Sequence, residues 1–294
     1  MSGLRILIGT LHVDENEFDA CKEALAAQTY TSRVHHVISG QPNAEAHRQL
    51  YRYFMDNRDN YDLFIKLDAD MVLRTPQTLA QIVAEFETAP ELDHAVFLVY
   101  DWISGLSIIG MHVFSNRVCW NMTEEQLFVD PDPQRPGQKK IFTRPPSPVA
   151  DHSPDPTPSQ AFRFGVHRSS KILQPSRWWV DRAQADFQWT LLTSILESYR
   201  REGDRRRLLA LLGAQWRMSG KQAGKPDSYT DARVAEAFDD LARDSDEALV
   251  ARLSPAWHNR AGRLWLRYRH TALRSAISGV GRAGVRAARS LRQA

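Results

Sequence analysis

The sequence predicts an α/β protein with a mostly parallel sheet flanked by helices and with a helical C-terminal part. Short apolar runs alternate with amphipathic helical patterns over about the first 118 residues. Strands that alternate with helices favour parallel pairing, with helices covering both faces of the sheet. From residue 184 onward the hydrophobic spacing is helical. We therefore expect an α/β domain over residues 1–183, a helical extension over 184–257 and a basic tail over 258–294.

The first five predicted elements alternate strictly in type. The strands are residues 4–8, VHHVISG and YDLFIKLDAD, and the helices between them are DENEFDACKEALAAQ and NAEAHRQLYRYFMDN. Asn43 is the expected N-cap of the second helix. Residues 75–87 form a third predicted helix with Pro76 in its first turn.

Residues 95–114 are the one apolar run about as long as a membrane-spanning helix. Asp101 lies inside it, and an aspartate there costs roughly 2.5 to 3.5 kcal/mol to insert. Ser104 and Gly105 divide the run like a turn. We therefore predict two core strands instead of a membrane helix.

The remaining segments predict loops and helices. Residues 130–159 are rich in proline and turn formers, which indicates loops with one or two short strands. Residues 184–218 predict two helices that split near Gly203, and residues 231–253 predict a third.

The composition is that of a globular protein, with 43% hydrophobic and 25% charged residues. Cys21 and Cys119 stand among apolar neighbours, which argues against a disulfide framework or a cysteine-ligated zinc site. The N-terminus lacks a signal-peptide pattern. We expect a cytoplasmic protein.

Asp68 and Asp70 follow the apolar part of the third predicted strand, at the edge where open parallel sheets bind ligands. Residues i and i+2 of a strand point the same way, so the two carboxylates lie close together and repel each other unless a cation is present. A divalent metal that keeps positions open for a diphosphate, Mg²⁺ or Mn²⁺, satisfies this arrangement. The alternative is a helix-capping or solvated pair.

The Asp-x-Asp pattern occurs at two other places, Asp130 with Asp132 and Asp244 with Asp246. The first of these lies between prolines and the second in an acidic surface run. Both are interpreted as solvated charge.

The order of elements up to DLFIKLDADMVL resembles the nucleotide-sugar glycosyltransferases of the A-type, Rossmann-like fold, particularly the inverting family 2. The similarity covers residues 4–117 and includes GMHVFSNRV. It implies that Asp68 and Asp70 hold Mn²⁺ or Mg²⁺, and that Asp68 and Thr10 belong to the donor site. ISGQPN replaces the aspartates that read the nucleotide in that family, so UDP- and GDP-sugars both stay open.

FRFGVHRSSK resembles the late motif of such enzymes, in which a histidine binds the metal and a lysine binds the diphosphate. This resemblance implies His167 as a metal ligand, with Arg168 and Lys171 on the phosphates. An imidazole ligand favours Mn²⁺. His152 is the rival metal ligand, and for either histidine a structural role is the alternative.

An inverting transfer needs a general base near the acceptor hydroxyl. Asp151 is the predicted base, with a turn-forming role as the alternative and Asp101 as a second candidate. Trp178 and Trp179 are candidates for stacking on the acceptor sugar or for core packing.

Residues 258–294 contain nine arginines and no acidic residue. At helical spacing the apolar and basic residues fall on opposite faces: Leu266, Leu273, Ile277, Val280 and Leu291 against Arg267, Arg274, Arg282, Arg286 and Arg289. This pattern is typical of a helix on an anionic membrane surface. A docked helix or a disordered tail is the alternative.

Together with these patterns, the resemblance implies a glycosyltransferase that uses a nucleoside-diphosphate sugar and a glycan or lipid-linked acceptor in polysaccharide synthesis. It would be a peripheral protein at the inner face of the membrane, without a nucleic-acid partner. The alternatives are a non-catalytic sugar- or lipid-binding protein and a sugar nucleotidyltransferase. The acidic GTLHVDENEF loop disfavours the nucleotidyltransferase, which needs a basic, glycine-rich phosphate loop.

Overall fold

The computed structural model describes five stretches of the chain: residues 3–121, 133–142, 148–173, 179–219 and 230–272. Asp130, Asp132 and Trp178, together with most of the predicted tail, lie outside these stretches.

The chain forms two compact units. The first comprises Met1–Gln160 and Asp227–Ala232, and the second comprises Ala161–Pro226 and Arg233–Ala294. The division therefore follows Gln160, whereas the sequence analysis set its domain boundary at residue 183.

The first unit contains an eight-stranded sheet flanked by helices. Its strands are β1 (Ile6–His12), β2 (Arg33–Ser39), β3 (Leu63–Lys66), β4 (Met71–Leu73), β5 (Leu92–Asp101), β6 (Leu106–Ser115), β9 (Gln138–Phe142) and β10 (Ala150–His152). The order is β2-β1-β3-β6-β5-β10-β4, and β9 pairs with β5. Strands β7 (Cys119–Trp120) and β8 (Pro133–Gln134) form a separate pair. The helices are α1 (Phe18–Ala26), α2 (Asn43–Asn57) and α3 (Thr78–Thr88).

The sheet is mixed and not purely parallel: six of its eight strands run in one direction, and β4 and β6 run in the other. β1 is parallel to β2 and β3, and β5 is parallel to β9 and β10. β6 is antiparallel to both β3 and β5, and β4 is antiparallel to β10. Only residues 102–105 connect β5 to β6, and so short a connection can join only antiparallel neighbours.

The sheet is strongly curled. Residues 67–70 alone join β3 to β4, although three strands lie between them in the sheet. In a flat sheet this separation is about 19 Å, whereas the chain from Lys66 to Met71 spans at most about 18 Å when fully extended. The connection is not extended, because the Met71 N–H donates to the carbonyl of Asp68 at 2.9 Å. The curl therefore brings β4 back toward the end of β3.

Most predicted elements of the first unit are confirmed, including the two strands within residues 95–114. Three boundaries differ. β3 ends at Lys66, so the two aspartates lie in a turn after the strand. Pro42 is the N-cap of α2, so Asn43 is its first helical residue. α3 begins at Thr78, after Pro76.

An aromatic core lies between α2 and the sheet. Leu50, Tyr51 and Phe54 share one face of α2 because they are spaced by helical turns, and all three are buried. They pack with Phe64 of β3, whose ring centroid is 4.4 Å from that of Phe54. Trp120 closes the cluster, with its ring 4.6 Å from Tyr51. This core fixes β1 and β3 beneath the helix.

The second unit is helical. Its helices are α4 (Pro158–Leu173, whose first turn belongs to the first unit), α5 (Trp179–Glu202), α6 (Arg205–Met218), α7 (Ala232–Ala242), α8 (Asp246–Arg252) and α9 (Arg260–Arg267), and a π-helical turn (Tyr268–Ala272) follows. The split near Gly203 is confirmed. The single helix predicted over residues 231–253 is instead two, because Ser245 caps a new helix start. No helix in the described stretches is both long and apolar enough to cross a membrane.

Candidate functional site

The carboxyl ends of β3, β5 and β10 lie at one edge of the sheet, because these strands run in the same direction. Their last residues are Lys66, Asp101 and His152, and the turn with Asp68 and Asp70 follows Lys66. Ligands of α/β sheets bind at this kind of edge. We call these five residues the carboxyl-edge cluster.

The ring of His152 lies between two carboxylates. Its Nδ1 is 2.7 Å from Oδ1 of Asp101, and its Nε2 is 3.4 Å from Oδ2 of Asp70. Asp101 is fully buried and also accepts hydrogen bonds from the backbone N–H and the hydroxyl of Ser104. A buried carboxylate that accepts the Nδ1 proton leaves Nε2 of the neutral ring with its lone pair. That lone pair faces a carboxylate oxygen, and a proton or a metal cation between the two atoms satisfies both.

Ser153 holds Asp70 in place. The Ser153 N–H donates to the carbonyl of Asp70 at 2.7 Å, and its hydroxyl donates to Oδ2 at 2.6 Å. Ser153 has a φ of 46°, and it is the only described non-glycine residue with a positive φ. Such a conformation costs of order 1–3 kcal/mol, and residues that hold it are enriched at functional sites. The strained residue therefore fixes the carboxylate that faces His152.

Lys66 is buried and pairs with Asp68. Its Nζ lies 2.7 Å from Oδ1 of Asp68. A charge-assisted hydrogen bond in a buried position holds this carboxylate more strongly than a surface pair would. The two aspartates of the turn thus have different partners, an ammonium for Asp68 and an imidazole for Asp70.

The charge of Asp70 helps to raise the pKa values of two glutamates in the loop after β1. Burial, with a smaller contribution from the Asp70 carboxylate, raises the pKa of Glu15 to about 7. Burial, again with a contribution from Asp70, also raises the pKa of Glu17. Glu17 accepts hydrogen bonds from the Asp155 N–H at 3.1 Å and from the Gln160 amide at 2.8 Å. This edge is therefore rich in carboxylates that a cation would stabilise.

A shallow cleft of about 400 Å³ lies beside β2 and α2. It is lined by His36, Val37, Ile38, Ser39, Gln41, Gln49 and Tyr53. The ring of His36 stacks on that of Tyr53 with centroids 3.7 Å apart. β2 is parallel to β1 and β3, so the end of this cleft at Ser39 shares the sheet edge with the carboxyl-edge cluster.

Two of the predicted site residues interact with other side chains of the protein. Thr10 is fully buried, and its hydroxyl is 2.9 Å from Nε2 of His35. Asp151, the predicted base, forms an ion pair with Arg74 at 2.6 Å. Neighbouring strand residues point to opposite faces, so Asp151 points away from the side of the sheet that His152 occupies.

His167, Arg168 and Lys171 lie on α4 within the second unit. Arg168 is buried, with its guanidinium carbon 4.4 Å from the centroid of the Phe164 ring. Of the two candidate histidines, His152 is the one that contacts Asp70 inside the first unit.

The sequence analysis missed Lys66, Ser153 and Glu15. Lys66 could have been found from the sequence, because a lysine in an apolar strand two residues before Asp68 is expected to point to the same side as Asp68. Ser153 and Glu15 left no such signal, because the contact of Ser153 with Asp70 and the effect of the Asp70 charge on Glu15 link positions that are distant in sequence.

Across the described stretches, no three His, Cys, Asp or Glu side chains are grouped so that they could hold a metal ion by themselves. In comparisons with known proteins, no protein-family model matches this chain, and no curated protein matches it either.

Proposed function

We propose that this protein is a metal-dependent glycosyltransferase that moves a sugar from a nucleoside-diphosphate sugar to an acceptor hydroxyl. The observation that carries the proposal is the contact of Asp70 with His152, next to Asp68, at the carboxyl edge of the sheet. A carboxylate and an imidazole nitrogen 3.4 Å apart, with a buried aspartate behind the imidazole, match the supported ligand pair of many metal sites.

Asp70 and His152 would hold Mn²⁺ or Mg²⁺, which would offset the charge that develops on the departing diphosphate, and Asp68 would join them only after leaving Lys66. Such sites use one or two carboxylates and leave the remaining positions to substrate phosphates, so a complete protein cage is not needed. Asp68 is bound to Lys66, and metal binding at Asp68 would release this ammonium. Lys66 would then be available to bind a phosphate oxygen.

In the proposed reaction, the acceptor oxygen attacks C1 of the donor sugar while the bond from C1 to the diphosphate oxygen breaks. The acceptor hydroxyl proton passes to a general base, and the nucleoside diphosphate leaves. Asp151 stays the predicted base, but it pairs with Arg74 and points away from the side of the sheet that His152 occupies, so this assignment requires the acceptor to approach from the side of Asp151.

We assign the nucleoside of the donor to the cleft beside β2. Its amide, imidazole and phenol groups, from Gln41, Gln49, His36 and Tyr53, suit the hydrogen-bonding edge and flat face of a base. Only β1 lies between β2 and β3. The cleft beside β2 is therefore two strand spacings from the strand that precedes the aspartates, about 10 Å in total. A glycan or a lipid-linked sugar remains the proposed acceptor.

The first experiment is calorimetric titration of UDP-, GDP-, CMP- and dTDP-sugars with and without Mn²⁺. We expect one nucleotide to bind tightly only with metal, and Asp70→Asn to weaken that binding at least tenfold because it removes the charge facing His152. The matched control is Asp246→Asn, which changes an exposed Asp-x-Asp and should leave affinity within twofold. Equal loss in both variants, or no metal dependence, would contradict the proposal.

Turnover separates the alternatives. Release of nucleoside diphosphate with transfer of the sugar supports the glycosyltransferase. Metal-dependent binding of the nucleotide sugar, without release of nucleoside diphosphate in the presence of any acceptor, supports a non-catalytic sugar-binding protein. Formation of the nucleotide sugar from a sugar phosphate and a nucleoside triphosphate supports the nucleotidyltransferase.

A further inference from the structure

The helical segment 260–272, which comprises α9 and the turn after it, presents apolar side chains to solvent. Leu264, Trp265 and Tyr268 are 54%, 56% and 58% exposed. We call these three side chains the exposed stripe. A helix on a globular protein normally turns its apolar side inward, and clustered exposed apolar side chains mark interaction sites.

The opposite side of the same segment is docked on the second unit. Arg263 donates to the carbonyl of Trp257 at 3.0 Å, and Arg267 pairs with Asp186 on α5 at 3.0 Å. Gly262 permits close approach, because a Cβ at this position would overlap the carbonyl oxygen of Ala256. The segment is thus anchored with its exposed stripe facing outward.

Arginines border the exposed stripe on both sides. At about 100° per residue the stripe covers an arc of about 100°. Arg260 lies at one border and Arg269 lies at the other. The guanidinium of Arg269 is 5.3 Å from the ring centroid of Trp265. An apolar stripe with cationic borders has the pattern of a helix that lies in a lipid interface.

The charge of the chain is strongly segregated. Nine of the 38 basic residues, and none of the 35 acidic residues, lie in residues 258–294. The other 257 residues therefore carry 29 basic against 35 acidic side chains. A negatively charged surface attracts the C-terminal segment and repels the remainder, which favours one orientation of the molecule.

We propose that the exposed stripe docks on an anionic lipid bilayer, with Trp265 and Tyr268 at the level of the headgroups. Tryptophan and tyrosine prefer this depth because one end of each ring is apolar and the other is polar. The bordering arginines contact anionic headgroups, each worth about 1 kcal/mol or about fivefold in binding. Leu266, on the apolar face predicted from the sequence, is half-buried, so the docking face consists of different residues.

Vesicle flotation of the full chain tests this proposal without using the proposed enzymatic site. The probes are phosphatidylcholine vesicles and vesicles that also contain phosphatidylglycerol. We expect at least tenfold stronger binding to the anionic vesicles. Trp265→Ser should lower that binding at least tenfold. The matched control, Phe187→Ser, removes another exposed aromatic residue from a helix of the same unit and should change binding less than twofold.

A double variant tests the contribution of the arginines that border the exposed stripe. Arg260→Gln with Arg269→Gln should weaken binding about 25-fold at low salt, and high salt should abolish most of this difference because it screens surface charge.

Three results would overturn the proposal. The first is equal binding of Trp265→Ser and the native chain, which would assign vesicle binding to other residues. The second is no preference for anionic vesicles. The third is a native dimer, seen by light scattering, that Trp265→Ser converts to monomer, because a second copy of the chain would then cover the stripe.

Discussion

Asp101 is the residue that sets which nitrogen of His152 faces Asp70. Its buried carboxylate, bound to Nδ1 at 2.7 Å and to Ser104, favours the tautomer with the proton on Nδ1. In the proposed metal site, His152 would thus depend on a residue that does not itself contact the metal.

We expect Asp101→Asn to weaken Mn²⁺ binding by about 10- to 100-fold, the usual effect of removing such a supporting hydrogen bond. The asparagine amide can donate to Nδ1, which would leave the proton on Nε2, where the metal should bind. Calorimetric titration of Mn²⁺ with bound nucleotide measures the change, and circular dichroism checks folding. A folded variant with native Mn²⁺ affinity would show that His152 is not a ligand.

Glu15 should make the protein less stable as pH rises. Its pKa is raised from 4.5 to about 7, so the folded state binds more protons than the unfolded state between these values. Stability is therefore lost as pH rises through this window. Because Glu15 is partly exposed, we expect Glu15→Gln to recover only on the order of 1–2 kcal/mol at pH 8, with no gain at pH 4.

Urea unfolding at both pH values measures the effect of Glu15. Glu23→Gln, at an exposed position of α1, is the control and should leave the pH dependence unchanged. If Glu15→Gln gave the same gain at pH 4 and pH 8, the cause would not be the titration of Glu15.

At the scale of residues, the sequence indicated candidate site residues better than their geometry. Asp68 and Asp70 were identified because a carboxylate pair after an apolar run is locally visible. The choice between His152 and His167 stayed open, because it depends on which strand lies beside the turn. The contact of Ser153 with Asp70 joins residues 83 positions apart and leaves no local pattern.

Among the elements, the backbones of α4 and α6 approach each other closely at two glycines. An added Cβ at Gly165 would overlap the carbonyl of Ala210, and one at Gly213 would overlap the carbonyl of Phe162. Both glycines therefore let two helix backbones approach directly.

We expect Gly165→Ala to lower the free energy of unfolding by about 1–3 kcal/mol, because the new methyl group overpacks this contact. Helix propensity alone predicts the opposite sign, a gain of about 0.5–1 kcal/mol. Chemical denaturation distinguishes the two. Glu197→Ala, exposed on α5, is the control and should stay within about 0.5 kcal/mol. A stabilised Gly165→Ala variant would contradict the close packing.

Long elements were predictable and short ones were not. Helices α1, α2, α5 and α6 have clear periodicity, whereas β4 and β10 have three residues each and no period to detect. The antiparallel direction of β6 was implicit in the four-residue connection after β5. The two-helix division of residues 231–253 depended on Ser245, whose side chain accepts from the Ala248 N–H.

For the molecule as a whole, the carboxyl-edge cluster belongs entirely to the first unit. We expect Mn²⁺ with nucleotide to slow hydrogen exchange in residues 66–73 and 150–153, because ligand binding stabilises the folded site. Residues 205–218 serve as the internal control and should not change. Protection of the peptide with His167, without protection at 150–153, would instead support His167 as the ligand.

The α/β class was predictable from the alternation of patterns, but the curl of the sheet was not, since it results from pairings between distant strands. Because of this curl, the turn between Lys66 and Met71 is held at both ends by strands of the same sheet. Asp68 and Asp70 therefore cannot move away from β10 unless the sheet uncurls. The distance of 3.4 Å between Oδ2 of Asp70 and Nε2 of His152 therefore depends on the curl, and a substitution that opened the sheet would separate these two groups.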